Sequence, residues 1–306
     1  MQKSLVRLNM SMVEPHILSS QPTRFTRRLG RPTMHQGIKR MNMTFAGCGF
    51  LGIYHLGVTS CLLKHGQALL SQVTCFAGAS AGSLAAAMMV LGRDRLQYSL
   101  DFTYGVAAEI RDLPLGAFNP RFNMLEKVRN FLEEMLPSNA HELANHRLHI
   151  AVTRMRDSQG EIISTFNSRE ELILILLGSC FIPYYCGRDY PVFRGEKWLD
   201  GGWTDNLPRP QFGGPTITVS PFSGNHDISP QDNPGRNWHL NIANQSLRVN
   251  PANTRRGIHA LKPPKQEVME EYYTRGFEDT EKYLKENGYF NVEAQNGLYV
   301  ERETTV

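Results

Sequence analysis

The sequence predicts an α/β fold with a mostly parallel central sheet. Twice before residue 93, a short apolar run, a glycine-rich turn and an apolar helical run follow one another. Such a repeat of strand, turn and helix produces parallel strands joined by right-handed crossovers. The chain has 306 residues, of which 41% are hydrophobic and 20% charged, so it is long and apolar enough to bury a substantial core.

The first unit places a glycine turn between a strand and a helix. The strand is predicted over residues 43–46 and the turn over residues 47–52. The helix follows over residues 53–65 and ends at Gly66, which is a C-cap residue. The turn therefore lies at the carboxyl end of a predicted strand and at the amino end of a predicted helix.

The second unit carries a serine in the pattern G-x-S-x-G. A strand over residues 73–77 leads into the pattern, and a helix that ends at Gly92 follows it. In this setting a sharp turn exposes the serine hydroxyl, and the helix N-terminus stabilises negative charge beside it. Gly78 and Gly82 lack the Cβ atoms that would clash in such a turn. The pattern predicts that Ser80 is a nucleophile.

The remaining chain continues with predicted helices and strands. Ser168 and Glu171 form a capping box at the start of an apolar helix. The other predicted elements are mostly helical structure over 93–136, strands over 149–153 and 162–166, the capped helix over 170–177, strands over 197–199 and 216–219, a polar, loop-rich stretch over 222–250 and a helix over 268–287.

Positive charge is concentrated at the N-terminus. Residues 1–40 carry eight Lys or Arg and one acid, a net +7, so the rest of the chain carries −3 of the total +4. This distribution argues against a nucleic-acid-binding domain. We expect a basic extension over 1–40, one domain over 41–288 and a polar tail over 289–306. The composition of 1–40 fits a disordered extension and a mitochondrial transit peptide, and both alternatives stay open.

The cysteines and the apolar runs predict an intracellular protein without a transmembrane segment. The five cysteines are odd in number and irregularly spaced, as in reduced proteins that use them as small apolar residues. No run reaches the 18 or so apolar residues that a membrane span requires. The longest run, over 172–182, is predicted to be a buried helix.

The glycine turn over 47–52 has the form G-x-G-x-x-G, which occurs in dinucleotide-binding folds. That use requires a carboxylate at the end of the second strand to bind the ribose. There is no Asp or Glu between residues 41 and 93, so we expect no such cofactor. The backbone N–H groups of a glycine turn at a helix N-terminus can instead form an oxyanion hole.

The serine requires a base, and Asp200 is the first candidate. It closes a short apolar run and is followed by two glycines, which let backbone approach its carboxylate. The chain order also permits a Ser-Asp-His triad, although His226 and His239 are expected to be surface residues in polar sequence, and His259 stays open as a partner. Asp200 and Asp205 lack the spacing of a calcium loop, so no metal is expected.

These features together resemble the patatin-like phospholipase family, in its animal adiponutrin and adipose-triglyceride-lipase branch and nearest to the short member of that branch. The resemblance covers about residues 41–288. The segments that carry it are residues 45–57, 78–82, 166–172, 181–183, 200–208, 219–224, 229–232 and 261–264.

The resemblance implies a three-layer α/β/α fold and a Ser–Asp dyad without a histidine or a cofactor. By matched position, Ser80 is the nucleophile and Asp200 the general base. Gly47, Cys48, Gly49 and Gly52 form the glycine motif of the oxyanion hole, with the N–H groups of Cys48 and Gly49 as its donors. Plant patatins and phospholipase A2 relatives usually carry a basic residue where this chain has Leu51. The absence of that cation favours neutral esters over phosphate head groups.

The implied activity is hydrolysis or transacylation of fatty acyl esters of neutral lipids, such as triacylglycerols or retinyl esters. Alternatives are a phospholipase A-type activity, a true triad enzyme and a non-catalytic lipid-binding protein of the same fold. The expected partner is lipid at a membrane or lipid-droplet surface, and the expected location is the cytoplasm or, with a transit peptide, the mitochondrion. Residues 181–185 are either an interfacial loop or a buried sheet edge, and the C-terminal Thr-Thr-Val has the form that PDZ domains bind.

Overall fold

A computed structural model describes residues 40–210, 214–232 and 238–291 of the chain. The predictions made for residues 1–39 and for the tail beyond 291, including the transit peptide and the C-terminal motif, lie outside the described residues. Within the described part, regular structure extends from Met41 to Glu286.

The centre of the molecule is a mostly parallel sheet, as the sequence predicts. In the described part seven strands belong to it, and four of them are parallel neighbours in the order β7-β1-β2-β3. The other three strands pair in antiparallel fashion. The strands are β1 (Met41–Phe45), β2 (Val73–Ala79), β3 (Leu148–Arg154), β4 (Gly160–Ile163), β5 (Val192–Phe193), β6 (Glu196–Asp200) and β7 (Thr216–Val219).

Helices pack against this sheet and against each other, so the predicted α/β class is confirmed. Ser168 caps one of them as predicted, because its Oγ accepts a hydrogen bond from the Glu171 N–H at 3.1 Å. The helices are α1 (Gly52–His65), α2 (Gln67–Leu70), α3 (Ala81–Leu91), α4 (Leu96–Asp112), α5 (Met124–Met135), α6 (Ala140–Ala144), α7 (Arg169–Ser179), α8 (Pro251–Leu261) and α9 (Gln266–Glu286).

The pairing of β3 brings the ends of β2 and β6 together. β2 pairs with β3 as far as Ala79 opposite Ala151, and β6 begins its pairing with Asp200 opposite Val152. β4 also pairs with Ala151 and Val152, so it lies along the opposite edge of β3. β2 and β6 therefore follow one another along the same edge, and the residue after Ala79 meets Asp200.

The prediction of a loop-rich stretch over 222–250 is wrong in its second half. A hairpin of β8 (His239–Ile242) and β9 (Gln245–Arg248) lies there, and helix α8 follows it directly. The hairpin turn consists of Ala243 and Asn244, both with positive φ, at 44° and 62°. A two-residue turn of this kind usually contains glycine, so the sequence lacks the usual hairpin signal.

Residues 181–185 match neither alternative completely, that is, neither an interfacial loop nor a buried sheet edge. They form a loop after α7 rather than a sheet edge. Phe181 is fully buried, and its carbonyl accepts a hydrogen bond from the Asp200 N–H at 2.9 Å. Tyr184 is 74% exposed, while Tyr185 is buried and donates its hydroxyl to the Leu261 carbonyl at 2.7 Å. The segment therefore ties the end of β6 and the end of α8 to α7.

Candidate active site

Ser80 occupies a strained turn between β2 and α3. Its φ is 52° and its ψ is −132°, a conformation that a residue with a side chain rarely adopts. The turn is fixed by hydrogen bonds, because the Ser80 N–H donates to Ser179 Oγ at 3.0 Å and that hydroxyl donates to the Ala151 carbonyl at 2.7 Å. Ser179 was not predicted from the sequence, although a serine in an apolar helix was a signal for it.

The two glycines beside Ser80 allow α3 to begin against the end of β1. A Cβ on Gly82 would lie 2.2 Å from the Phe45 carbonyl oxygen, and one on Gly78 would lie 2.3 Å from the Gly82 backbone. Both distances are far below van der Waals contact. The sequence pattern predicted this steric role, and the described backbone agrees with it.

Asp200 lies at the end of β6, on the edge of β3 that β2 also uses. Only 5% of the residue is exposed. Its backbone is held by Phe181 and by the Thr153 hydroxyl, which donates to the Asp200 carbonyl at 2.9 Å. One carboxylate oxygen accepts the Gly202 N–H at 2.7 Å. The Ser80 side chain lies close enough to the carboxylate to lower its pKa as a hydrogen-bond donor.

Burial raises the pKa of Asp200 from 3.8 to about 6, while the hydrogen bonds from Ser80 and Gly202 act in the opposite direction. The carboxylate is therefore ionised at neutral pH and is a much stronger base than an exposed aspartate. A base with a pKa near the working pH, in contact with a serine hydroxyl, can accept the proton of that hydroxyl.

The glycine turn lies beside Ser80 and Asp200, and only some of its backbone N–H groups have a hydrogen-bond acceptor. Gly47 donates its N–H to the Asn206 carbonyl at 3.0 Å, and Gly52 begins α1 with its N–H turned to the preceding carbonyls. No acceptor in the described part of the chain takes the N–H of Cys48 or Gly49. Of the four residues predicted for the oxyanion hole, these two supply the available donors.

The Asn206 side chain and helix α8 position the turn. Asn206 donates its side-chain amide to the Gly47 carbonyl at 3.0 Å and to Gln245 Oε1 at 2.5 Å. Gly49 has a φ of 53°, and a Cβ there would lie 2.0 Å from the Ala260 carbonyl oxygen of α8. The sequence indicated Asn206 only as part of the segment after Asp200, and Gln245 and α8 were missed.

A cavity of about 470 Å³ opens beside Ser80 and Asp200. Asp200 is the only charged side chain among the described residues that line it. Ser80, Leu84 and Met88 line it at four-residue intervals, so at about 1.5 Å per residue it follows α3 for about 12 Å. Its other lining residues include Phe102, Val106, Met124, Val128, Phe131, Tyr185, Trp203, Phe222, Ile242, Leu247 and Leu261.

The rings of Phe102 and Phe131, which also line the cavity, are stacked with their centroids 4.4 Å apart. A Cβ on Gly92, just after α3, would lie 3.3 Å from Met135, so the C-terminal ends of α3 and α5 adjoin. Phe131 lies one helical turn before Met135. The apolar lining of this channel therefore extends from the polar pair along α3 to the stacked rings.

No histidine lines this cavity in the described part of the chain. His239 is exposed, and His259 contacts the Tyr272 hydroxyl at 3.0 Å through Nδ1. The expectation of a surface residue is wrong for His226, which is half-buried, and burial lowers its pKa to about 4. His55, which the sequence did not indicate, is fully buried and donates from Nε2 to the Ala46 carbonyl at 2.8 Å.

The cysteines behave as the small apolar residues that the sequence predicts. All five are free thiols, and Cys48, Cys180 and Cys186 line the cavity. Burial raises the pKa of all three thiols, to about 12 for Cys186, and the nearby Asp200 charge raises the three values further. They are therefore neutral thiols rather than competing nucleophiles.

Among the described residues, no three His, Cys, Asp or Glu side chains come together to hold a metal ion. None of the described helices has the length and apolar character needed to cross a membrane.

Comparisons with known proteins identify relatives of the chain. Residues 43–212 match the family described as patatin-like phospholipase. Patatin-like phospholipase domain-containing protein 4 of Homo sapiens is 44% identical over 253 residues, which are 83% of this chain and 100% of that protein. Human patatin-like phospholipase domain-containing protein 2 is 43% identical, over 83% of this chain and 50% of its own length. A human 1-acylglycerol-3-phosphate O-acyltransferase is 37% identical, over 84% and 53%.

Proposed function

The chain belongs to the patatin-like phospholipase family, and from this membership and the geometry of the site we propose that it hydrolyses or transfers the fatty acyl group of neutral lipid esters. Ser80 is the nucleophile and Asp200 the general base. The observation that carries the proposal is the contact of the Ser80 hydroxyl with a buried carboxylate at the entrance of an apolar channel. That channel has the length and lining to accept an acyl chain.

The reaction divides into two steps. Ser80 Oγ attacks the ester carbonyl carbon while Asp200 accepts its proton, and the N–H groups of Cys48 and Gly49 donate to the oxyanion. The proton then passes to the leaving alkoxide, which departs as an alcohol and leaves an acyl-Ser80 ester. In the second step Asp200 accepts a proton from water, and the hydroxide attacks the acyl carbon. Return of that proton to Ser80 Oγ releases the fatty acid.

A neutral substrate is favoured because the described lining contains no cation. A phosphate head group would enter a site whose one charge is the Asp200 carboxylate, and it would be repelled there. Leu51, at the position where plant patatins and phospholipase A2 relatives usually carry a basic residue, is buried and apolar. Triacylglycerols and retinyl esters carry no such charge.

Transfer to an alcohol is the second candidate activity. It requires that an alcohol replace water in the second step, which a water-poor, apolar channel favours. The acyltransferase activity in the name of one relative agrees with this alternative.

The test is a comparison of purified chain on triolein, phosphatidylcholine and retinyl palmitate, each with and without a diacylglycerol acceptor. We expect fatty acid release from the neutral esters, loss of that release in Ser80→Ala and its retention in Ser71→Ala, a matched change at an exposed serine. Faster release from phosphatidylcholine than from triolein would contradict the neutral-lipid assignment. Equal activity of Ser80→Ala and the unchanged chain would contradict the dyad.

A further inference from the structure

The mouth of the cavity is surrounded by large apolar side chains that face solvent. Trp203, Ile242 and Leu261 line the cavity, yet they are 64%, 45% and 52% exposed. Ile258, three residues before Leu261 on the same side of α8, is 59% exposed. We call these four residues the mouth patch. They come from the segment after β6, the β8–β9 hairpin and α8, so three separate parts of the chain converge on one opening.

Positive charge accompanies the mouth patch. Residues 238–265, which contain the hairpin and α8, include five Lys or Arg and no Asp or Glu. Arg256 is paired with Asp232 and is buried. Arg255, Lys262 and Lys265 are exposed and have no carboxylate partner among the described residues. Lys262 follows Leu261 directly and lies one helical turn after Ile258, so this charge adjoins the mouth patch.

From this juxtaposition we propose that the mouth patch and its three exposed basic residues dock the chain on an anionic lipid surface. Trp203, Ile242, Ile258 and Leu261 enter the head-group region, while Arg255, Lys262 and Lys265 contact lipid phosphates and carboxylates. The choice of a lipid surface rests on the proposed function, because an acyl ester must leave a lipid phase to enter the channel. The proposed function does not itself require an anionic lipid, so this preference goes beyond it.

The charge pattern disfavours a second copy of the chain as the occupant. A symmetric dimer would place the same patch on both sides of the interface, so the basic residues of each copy would face those of the other. An anionic lipid surface instead neutralises them. The tryptophan of the patch also fits a lipid interface, where its ring is buried and its N–H stays hydrated.

Trp203 links docking to the reaction site. It ends the short helical turn Gly201–Trp203, which begins directly after Asp200. The backbone of this turn donates the Gly202 N–H to the Asp200 carboxylate. Docking at Trp203 therefore places the lipid surface three residues from the general base, with the channel entrance facing the acyl esters.

The test is sedimentation of the full chain with vesicles of phosphatidylcholine alone and of phosphatidylcholine with phosphatidylserine. We expect binding to the anionic vesicles that weakens as salt is added. Replacement of Arg255, Lys262 and Lys265 by Gln should weaken it about a hundredfold, at about fivefold per basic residue. The control replaces Lys64, Arg95 and Lys282 by Gln and loses the same charge elsewhere. Residues 1–39 are present in every variant, so they do not account for a difference.

A second measurement locates the contact. In Trp238→Phe, the remaining tryptophans are Trp203 and the buried Trp198, so brominated lipid should quench the fluorescence of Trp203. Equal binding to both vesicle types, equal binding of the two triple variants, or no quenching would each overturn the proposal. Ser80→Ala should bind vesicles normally while losing hydrolysis, so failure of docking and failure of the proposed function are separate results. Ile258→Gln should weaken docking but retain hydrolysis of a soluble short-chain ester.

Discussion

Asp200→Asn should abolish turnover and at the same time stabilise the fold. The buried carboxylate has a pKa of about 6 instead of 3.8, so its ionisation opposes folding at neutral pH. At about 1.36 kcal/mol per pH unit, this difference of about 2 units corresponds to about 3 kcal/mol. Asparagine removes the charge, keeps an oxygen to accept the Gly202 N–H, and offers its amide N–H to Ser80 Oγ.

The size of this stabilisation depends on pH. Between pH 3.8 and about 6 the folded state holds a proton on Asp200 that the unfolded state has released, so the unfolding free energy contributed by this group falls as pH rises. Above pH 6 both states are ionised, and the full cost is present. The advantage of Asp200→Asn should therefore grow from pH 4 to about pH 6.5 and then level at up to about 3 kcal/mol.

Urea unfolding followed by circular dichroism between pH 4.5 and 8 measures this difference. Asp101→Asn, which removes an exposed carboxylate on α4, is the matched control and should change stability little at any pH. If Asp200→Asn were no more stable than the unchanged chain at pH 8, the raised pKa would be refuted. Substantial remaining turnover in Asp200→Asn would refute its role as the base.

The site also predicts a pH dependence, a chain-length preference and a supporting role for Asn206. kcat/KM for a soluble ester should fall about tenfold per pH unit below about pH 6, because Asp200 is protonated there. The pH–rate profiles of His226→Gln, His239→Gln and His259→Gln should have the same midpoint as that of the unchanged chain, and a shifted midpoint would indicate a Ser-Asp-His triad. Met88→Trp narrows the channel about 12 Å from Ser80, so it should lower kcat/KM for an oleoyl ester, relative to that for a butyryl ester, by about tenfold or more. Val90→Trp lies outside the lining and should leave this ratio unchanged. In Asn206→Leu the Gly47 carbonyl loses its side-chain partner, so the free energy of unfolding measured in urea should fall by about 1–3 kcal/mol. The same change should lower kcat more than it alters KM, and an unchanged kcat would show that the turn does not need this support.

Much of the fold was predictable because its signals are local. The predicted strands and helices around Ser80 are present, with their ends shifted by a few residues, and β7 has the predicted bounds. β4 begins two residues earlier than predicted, at Gly160, since the turn after β3 is tighter than the sequence indicates. The periodicity and the turn glycines are sufficient for these elements.

The hairpin and α8 were not predictable in the same way. α8 has few apolar residues, and its inward side packs on the glycine turn at Gly49 rather than on the main core. Asn250 caps it by accepting the Asn253 N–H at 2.7 Å, and Pro251 follows at the first helical position. These start signals are in the sequence, but they lie inside a polar stretch without an apolar period.

The sequence predicts which two residues form the proposed Ser80–Asp200 pair, whereas the contacts that position them depend on the fold. G-x-S-x-G and D-G-G indicate Ser80 and Asp200, but their proximity results from β2 and β6 sharing one edge of β3. Ser179 and Asn206 approach the site from α7 and from the segment after β6. A serine inside an apolar helix marks Ser179 as unusual, but no local pattern in the sequence shows which groups these two side chains contact.

The most direct test of the Ser80–Asp200 pair is the site of covalent modification during turnover. The chain is mixed with an oleoyl ester, quenched in acid and digested, and the acylated peptide is identified by mass spectrometry. We predict one oleoyl group on Ser80, none in Ser80→Ala, and much slower acylation in Asp200→Asn. An oleoyl group on another residue, or acylation of Ser80 at an unchanged rate in Asp200→Asn, would contradict the dyad.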